Sequence, residues 1–131
     1  HFYFCSIPSS FGFLSSLTSL RFDYVPISGS IPSSLANLQN LQELHLEYTS
    51  LTGTIPDVVG WISLNYFDLS YTSITGTIPS VLCGNSLNNL YVTGNTQLFC
   101  YASCLSSVSS ATFGSASICT TGNVHHNNLH V

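Results

Sequence analysis

The stretch LQELHLEYTSLTGTIPDVVGWISLNYFDLSYTSITGTIP, residues 41–79, contains one pattern twice. Leu41, Leu44, Leu46, Leu51, Gly53, Ile55 and Pro56 recur as Leu64, Phe67, Leu69, Ile74, Gly76, Ile78 and Pro79. The shift, from 41 to 64 and from 56 to 79 alike, is 23 positions. A constant shift of this size indicates short coils of backbone that stack on one another, because one coil is too thin to bury its own apolar side chains.

The same pattern extends in both directions from this stretch. Leu17, Leu20, Phe22, Ile27, Gly29, Ile31 and Pro32 lie 24 positions before the first copy, and Ile7-Pro8 lies a further 24 before that. Leu87, Leu90 and Val92 lie 23 positions after Leu64, Phe67 and Leu69. We therefore predict about four coils in residues 1–98, the first of them truncated, which is enough for a stable stack.

Each coil has three parts with different backbone requirements. A short strand with alternating apolar and polar residues comes first, as in residues 43–47. A turn follows whose glycine permits a positive φ. A return segment then begins at Ile-Pro, because proline lacks the N–H that a central strand needs. Stacked strands should form one parallel sheet on the inner, concave face.

These residues resemble plant-type leucine-rich repeats, L-x-x-L-x-x-L-x-L-x-x-N-x-L-x-G-x-I-P, over most of residues 7–98. The G-T-I-P wording is also similar to surface-antigen repeats of flagellate protists. The resemblance implies an α/β-type solenoid, a right-handed coil with a concave parallel sheet and a 3₁₀ or irregular convex side. The repeat asparagine is replaced by Val25, Thr49 and Thr72 and returns only at Asn95. Because threonine offers a shorter hydroxyl, we expect a weaker inner hydrogen-bond ladder there.

The charge of the chain excludes some partners. Only 5% of the 131 residues are charged, the net charge is −4, and there is one Arg and no Lys. Phosphate contacts to a nucleic acid are therefore not expected. No apolar run approaches the length of a membrane span. Low charge and a mean hydropathy of +0.34 favour attached sugar or membership of an assembly, and the start at His1 without a Met predicts a mature chain or a fragment.

Five cysteines in a small repeat domain predict an oxidising, extracellular or cell-surface location. Residues 99–119 are predicted to form a disulfide-stapled carboxy-terminal cap. Cys83, Cys100, Cys104 and Cys119 allow three pairings. We favour Cys83–Cys104 and Cys100–Cys119, because both separations are close to one coil. Cys5 is expected either to be free or to bridge to a cap or another chain.

Side chains that alternate with the buried leucines should form three outward rows across the coils. The first row is Ser19, Glu43, Tyr66 and Asn89; the second is Arg21, His45, Asp68 and Tyr91; the third is Asp23, Glu47, Ser70 and Thr93, with Tyr24, Tyr48 and Tyr71 along one margin. Five of the six charged residues fall on these rows, and only Asp57 lies elsewhere. Exposure of the sheet alone would place charges there, but the convex side is exposed too. The concentration favours a partner-binding surface.

Other chemistry on this face is less well supported by the sequence. His45 beside Arg21 and Asp68 resembles general acid–base composition, but a shallow sheet offers no shielded pocket, so no enzyme and no cofactor are expected. Protonation of His45 could instead modulate binding. Carboxylates of the face could hold a hard cation, and His125, His126 and His130 a transition metal, but we predict no metal site. Residues 120–131 are interpreted as a polar tail.

Two functional hypotheses remain open on these observations. The first is a non-enzymatic assembly module, a subunit or fragment of a cell-surface or filamentous structure, O-glycosylated within residues 106–117 and forming a homo-oligomer or polymer. The second is a ligand-binding ectodomain, as the resemblance to plant receptors and cell-wall-enzyme inhibitors implies. Its partner would be a protein, a peptide or a glycan on the concave rows. Fold alone does not choose between them.

Overall fold

The structure is a computed structural model that describes residues 5–83, 86–114 and 116–118. Its described residues form short strands and 3₁₀ segments. The strands are β1 (Cys5–Ser6), β2 (Ser19–Arg21), β3 (Ile27–Ser30), β4 (Glu43–His45), β5 (Ser50–Thr52), β6 (Tyr66–Asp68), β7 (Gly76–Ile78), β8 (Asn89–Tyr91), β9 (Leu98–Tyr101), β10 (Ser110–Thr112) and β11 (Ser117–Ile118).

The predicted concave sheet is confirmed. Strands β2, β4, β6, β8 and β10 form one sheet in the order β10-β8-β6-β4-β2, and each pair is parallel. Its central row is Leu20, Leu44, Phe67, Leu90 and Ala111. The first four of these side chains are buried. Because side chains alternate along a strand, their neighbours on either side point outward.

A second set of strands, which the sequence analysis did not predict, lies behind the concave sheet. Strands β1, β3 and β5 form one three-stranded parallel sheet, and β7, β9 and β11 form another. A bridge between Thr54 and Thr75 connects the two. Gly29, Gly53 and Gly76 have the predicted positive φ, at 79°, 78° and 88°. They lie in or beside these strands because the backbone after each bend is extended and reaches the preceding coil, as where Thr75 N–H donates to Gly53 O at 2.7 Å.

Four of the convex returns contain a 3₁₀ segment and the return after Pro56 is irregular, in agreement with the predicted 3₁₀ or irregular convex side. The 3₁₀ segments span Ser9–Phe13, Ser33–Asn37, Ser80–Leu82 and Ser103–Ser107. The first three directly follow Pro8, Pro32 and Pro79, each extended with ψ near 135°. Proline therefore marks where the chain leaves a sheet, because it cannot donate to the next coil.

The core runs through the stack between the two layers of strands and the returns. Its buried side chains include Leu35, Leu38, Leu41, Leu44, Leu46, Leu51, Leu64, Leu69 and Ile74. Trp61 takes the repeat position of Leu38, packs edge-on to Phe67 with ring centroids 5.4 Å apart, and donates its Nε1–H to Leu35 O at 2.7 Å. Full burial of one such aliphatic or aromatic side chain contributes about 1.5–3 kcal/mol to the free energy of folding.

The inner hydrogen-bond ladder differs between coils as the asparagine substitutions predict. Buried Asn95 donates to Leu69 O in the preceding coil at 2.7 Å and to Val92 O at 3.2 Å. Its Oδ1 accepts from the N–H and the hydroxyl of Thr72, both at 2.9 Å. Thr49, one coil earlier still, reaches only Leu46 O of its own coil, at 2.8 Å. The shorter side chain leaves that coil without the cross-link.

The carboxy-terminal cap continues the coil geometry and is stapled to it. Cys83 and Cys104 form the predicted disulfide, with Cα atoms 5.8 Å apart. Strand β10 adds a fifth strand to the concave sheet beside β8. Val108, Ala111 and Phe113 repeat the spacing of Leu87, Leu90 and Val92, but without a leucine that would mark the coil. Cys5 is free and exposed. Cys119, the predicted partner of Cys100, and the tail from residue 120 onward lie outside the described residues.

Candidate binding face on the concave sheet

The structure brings the first two predicted rows together across the sheet. Ser19, Glu43, Tyr66 and Asn89 are in register, and so are Arg21, His45, Asp68 and Tyr91. Strand β10 extends these two rows with Ser110 and Thr112. The outward side chains of different coils therefore lie side by side, as the alternation of the strands predicts.

The third row, which consists of Asp23, Glu47, Ser70 and Thr93, lies beyond the strands in which the sequence analysis placed it. Strands β2, β4, β6 and β8 end two residues earlier, at Arg21, His45, Asp68 and Tyr91. The backbone nevertheless keeps pairing from coil to coil. Tyr24 N–H donates to Glu47 O at 3.0 Å, Tyr48 N–H to Ser70 O at 2.9 Å, and Tyr71 N–H to Thr93 O at 2.8 Å. The row is thus aligned without belonging to the sheet.

The exposure of this third row also differs from the expectation of an open outward row. Glu47 and Ser70 are buried, and Glu47 lies against the buried His45 ring, with its Oε1 3.6 Å from His45 Nδ1. Thr93 is half-buried, and its hydroxyl donates to Thr112 Oγ1 at 2.8 Å. That hydroxyl is therefore occupied by a cross-link to the cap, a role that the sequence analysis did not assign to Thr93.

Arg21 and Asp23 form a two-pronged ion pair at the edge of the sheet. Arg21 Nε lies 3.1 Å from Asp23 Oδ1, and Nη2 lies 3.2 Å from Oδ2. This hydrogen bonding holds the pKa of Asp23 below its ordinary value of 3.8 and raises the pKa of Arg21. Because the pair is solvated, it fixes geometry more than it stabilises the fold.

His45 lies at the centre of the acidic part of the face and is only 7% exposed. Its ring stacks on Tyr66 with centroids 4.4 Å apart. Arg21 Nη1 is 3.5 Å from His45 Nε2. Glu43 Oε2 lies 3.7 Å from the same nitrogen, and Glu47 Oε1 lies 3.6 Å from Nδ1. Among the described side chains, His45 Nδ1 and Glu47 Oε2 are buried without a hydrogen bond. The proposed effect of His45 protonation on binding remains a prediction.

The margin tyrosines form a continuous stack, whereas the sequence predicted only that they line one margin. Tyr24, Tyr48 and Tyr71 have φ of 60°, 57° and 57°, in the left-handed region that non-glycine residues seldom adopt. The rings stack at centroid distances of 4.6 and 4.7 Å. The equivalent residue of the next coil is Gly94, where an added Cβ would collide with the Tyr71 ring. That glycine is the sequence signal for the left-handed position.

Between this stack and the sheet lies a shallow aromatic cleft of about 380 Å³. Tyr48 and Tyr71 line one side, Tyr66 and Tyr91 line the other, and Asp68 lies among them. Burial raises the pKa of the Tyr66 hydroxyl, and the Asp68 carboxylate raises it further. We call this feature the Asp68 cleft. The remaining residues that line it are Ser70, Thr93 and Thr112.

Nowhere in residues 5–83, 86–114 and 116–118 do three His, Cys, Asp or Glu side chains form a group that could hold a metal ion. The histidines His125, His126 and His130, considered for a transition metal, lie outside these ranges. Within the same ranges, no helix has the length and hydropathy needed to cross a lipid bilayer.

Solved structures of similar fold include ectodomains of plant receptor kinases and a plant ice-binding protein. One is the leucine-rich repeat ectodomain of the receptor kinase GASSHO1/SCHENGEN3 from Arabidopsis thaliana in complex with CASPARIAN STRIP INTEGRITY FACTOR 2, with a TM-score of 0.76 and 28% identity over 87% of this chain. The BIR3–SERK2 complex from Arabidopsis thaliana has a TM-score of 0.72 and 32% identity over 87% of this chain. The plant peptide hormone receptor RGFR1 in complex with RGF2 has a TM-score of 0.62 and 29% identity over 72% of this chain.

The chain spans 14%, 66% and 18% of the lengths of those three structures, respectively. No curated protein sequence matches it significantly. The Leucine Rich Repeat family matches at residues 16–38, 40–61 and 63–85, which together make up just over half of the chain. These matched segments coincide with the coils whose strands build the concave face, and the chain belongs to the leucine-rich repeat family.

Proposed function

We propose that this chain is an extracellular, non-enzymatic module that binds a protein or peptide partner on its concave face. The observation that carries the proposal is the segregation of charge, since five of the six charged side chains lie on the rows of one face. The rows also hold aromatic side chains in contact with one another, such as Tyr66 and Tyr91, whose ring centroids are 5.5 Å apart. Aromatic side chains beside a few charges are typical of interface centres.

The similar structures support the class of partner and the location. The ectodomain of GASSHO1/SCHENGEN3 is in complex with CASPARIAN STRIP INTEGRITY FACTOR 2, and the peptide hormone receptor RGFR1 is in complex with RGF2. The disulfide between Cys83 and Cys104 adds support for an oxidising, extracellular location. The open face with its shallow cleft favours recognition over catalysis, because catalysis requires a shielded pocket.

The test is selection of a displayed random-peptide library on the folded domain. Enriched peptides are then titrated against the variant Glu43→Gln/Tyr66→Leu, which alters the concave face. The matched control is Asp57→Asn/Val59→Ala, which removes a carboxylate and apolar surface elsewhere. We expect the peptides to lose binding to the first variant and keep it for the second. Equal binding to both variants, or no enrichment, contradicts the proposal.

A second candidate function, assembly with copies of itself, is favoured by the first coil. Leu14 occupies the repeat position of Leu38 and Trp61, yet it is 47% exposed where they are fully buried, and neighbouring Phe13 is 84% exposed. A second copy stacked end to end would cover this apolar end and would generate an open polymer. Sedimentation and electron microscopy of the wild type and Leu14→Glu test this. Polymers that the substitution abolishes support assembly, and a monomer at every concentration contradicts it.

We also propose O-linked sugar within residues 106–117. Ser106 and Ser109 are exposed there. Because few residues are charged, attached sugar would increase the solubility of the protein. Intact mass of protein purified from its natural source measures the modification. A mass equal to that of the polypeptide with its disulfides contradicts it.

A further inference from the structure

We propose that the Asp68 cleft takes a basic side chain of the partner, specifically the guanidinium of an arginine. The inference rests on the proposed function and names the chemistry of its ligand. The cleft combines the Asp68 carboxylate with tyrosine side chains on two sides. That is the combination that recognises a planar cation, through an ion pair and cation–π contact. Both ring faces of Tyr48 are covered by its stacked neighbours, so cation–π contact would come from the sheet tyrosines Tyr66 and Tyr91.

The walls of the cleft hold their positions before a ligand arrives. Tyr48 stacks between Tyr24 and Tyr71, so its ring has little rotational freedom. On the sheet, Tyr66 contacts the ring of Tyr91, whose hydroxyl is fixed in turn by a 2.7 Å hydrogen bond with Ser110. Ordered walls reduce the loss of conformational entropy on binding, which favours a defined occupant over a nonspecific contact.

The carboxylate is oriented as well. Asp68 Oδ1 accepts the backbone N–H of Ser70 at 2.8 Å. Burial raises the pKa of Tyr66, and the Asp68 charge is the next cause. For Tyr48 burial comes first, then Tyr71 and Tyr24, and the Asp68 charge adds to them. The charge is therefore felt at rings on both walls of the cleft. A cation placed between those rings lies within the field of the carboxylate.

The rest of the face has the charge that such a ligand needs. Of the four carboxylates on the rows, Asp23 is paired with Arg21 and Glu47 is buried, so Glu43 and Asp68 supply the accessible negative charge of the face. Association with a basic segment is steered by this field, and a basic segment is retained better than a neutral one.

A second copy of these 131 residues is a poor source of the cation. The whole chain contains no Lys and a single Arg. That Arg21 is held by both oxygens of Asp23, so a second copy has no uncommitted guanidinium to offer. The cleft therefore fits a heterologous basic partner, whereas the apolar end at Leu14 is the surface suited to self-association. Arginine is preferred over lysine because its planar group stacks on aromatic rings.

The experiment titrates three capped peptides of equal length, built from repeating Gly-Arg, Gly-Lys and Gly-citrulline, against the wild-type domain by NMR. Citrulline keeps the shape of arginine and removes its charge. We expect the arginine peptide to bind most tightly and to shift the amide signals of residues 66–71 and 91–93. Asp68→Asn should raise its dissociation constant about tenfold, because a charge-assisted bond is lost while the amide can still accept from Ser70.

Matched variants separate the cleft from general charge. Asp57→Asn removes a carboxylate off the face and should change the dissociation constant less than twofold. Tyr66→Leu should weaken binding, and Tyr66→Phe, which keeps the ring, should restore it. Near-ultraviolet circular dichroism checks that each variant is folded. Equal affinity for the arginine and citrulline peptides, or equal weakening by Asp57→Asn and Asp68→Asn, overturns the proposal. Tighter binding of the lysine peptide overturns the preference for arginine.

The outcome is distinguishable from failure of the proposed function. If library-selected peptides bind the concave face but are not enriched in basic residues, the cleft proposal fails and the binding function stands. If no peptide depends on the concave face, both fail.

Discussion

Single side chains decide how firmly successive coils are joined. Asn95 satisfies backbone groups of two coils, whereas Thr49 satisfies one carbonyl of its own coil. Val25, at the same repeat position, has no polar side chain. The cross-links therefore become stronger from the first coil to the last. The substitution pattern is visible in the sequence, but which backbone groups Asn95 would reach depends on the stacking.

Replacing Asn95 by Ala should lower the free energy of unfolding by about 2–4 kcal/mol, because buried groups of Leu69, Val92 and Thr72 lose their partner. Urea denaturation followed by circular dichroism measures the change. The control is Asn40→Ala, which removes one exposed hydrogen bond to Ser15 O and should cost roughly 0.5–1.5 kcal/mol. Equal losses for the two variants would contradict the role of the buried asparagine.

The Arg21–Asp23 pair makes a prediction about pH. Hydrogen bonding to Arg21 lowers the pKa of Asp23, so its contribution to stability is present above the ordinary carboxyl pKa of 3.8 and is lost as pH falls through the lower folded value. In Arg21→Gln the Asp23 pKa should rise toward 3.8, as measured by carboxyl NMR titration. Matching circular dichroism spectra of the wild type and the variant serve as the control for folding. An unchanged Asp23 pKa in the variant would show that the ion pair is not formed in solution.

Short elements are positioned by what precedes and follows them more than by their own propensity. Strands β2, β4, β6 and β8 are three residues long, and each is in register because a whole coil of 23 or 24 residues connects it to the next. Strand β10 has weak sequence character, with only Ser, Ala and Thr. It pairs with β8 while Val108, Ala111 and Phe113 pack against the core, and the disulfide between Cys83 and Cys104 joins the preceding return to the stack. The cap is thus an element that tertiary contacts create.

Removal of the disulfide in Cys83→Ser/Cys104→Ser should cost about 3 kcal/mol, as expected for a loop of this length. Thermal denaturation reports the loss, and hydrogen exchange should show faster opening of β10 than of β4. Cys5→Ser, at the exposed free thiol, should leave the unfolding temperature unchanged. Retention of full β10 protection in the double variant would mean that the cap is held by packing alone.

At the scale of the whole molecule, stability is a sum over neighbouring coils. Each coil buries its leucines only against the coils beside it, and the two layers of strands repeat the same contacts at every step. Charge is distributed on the same scale, gathered on one face of the stack and nearly absent from the other. This division lets one face bind while the remaining surface stays close to neutral.

Deletion of residues 41–63 removes one whole period and joins Asn40 to Leu64, the repeat equivalent of Leu41. We expect the shortened chain to fold with lower stability, because every remaining coil keeps its register. Deletion of residues 52–63, a partial period, should abolish the cooperative transition. Far-ultraviolet circular dichroism with urea denaturation compares the two. Similar behaviour of both deletions would contradict a stack of equivalent coils.

The sequence by itself determined the period, the inward leucines, the alignment of the outward rows and the glycine bends, and it favoured the Cys83–Cys104 pairing among three possibilities. These follow from spacing, because side-chain alternation and coil length are local properties of the backbone. Only the tertiary structure decided the second layer of strands, the left-handed tyrosine stack, the fifth strand Ser110–Thr112, the bond from Thr93 to that strand and the cleft around Asp68. Those features depend on which atoms of different coils come within contact distance, and that distance is set by packing across the stack rather than by any one coil.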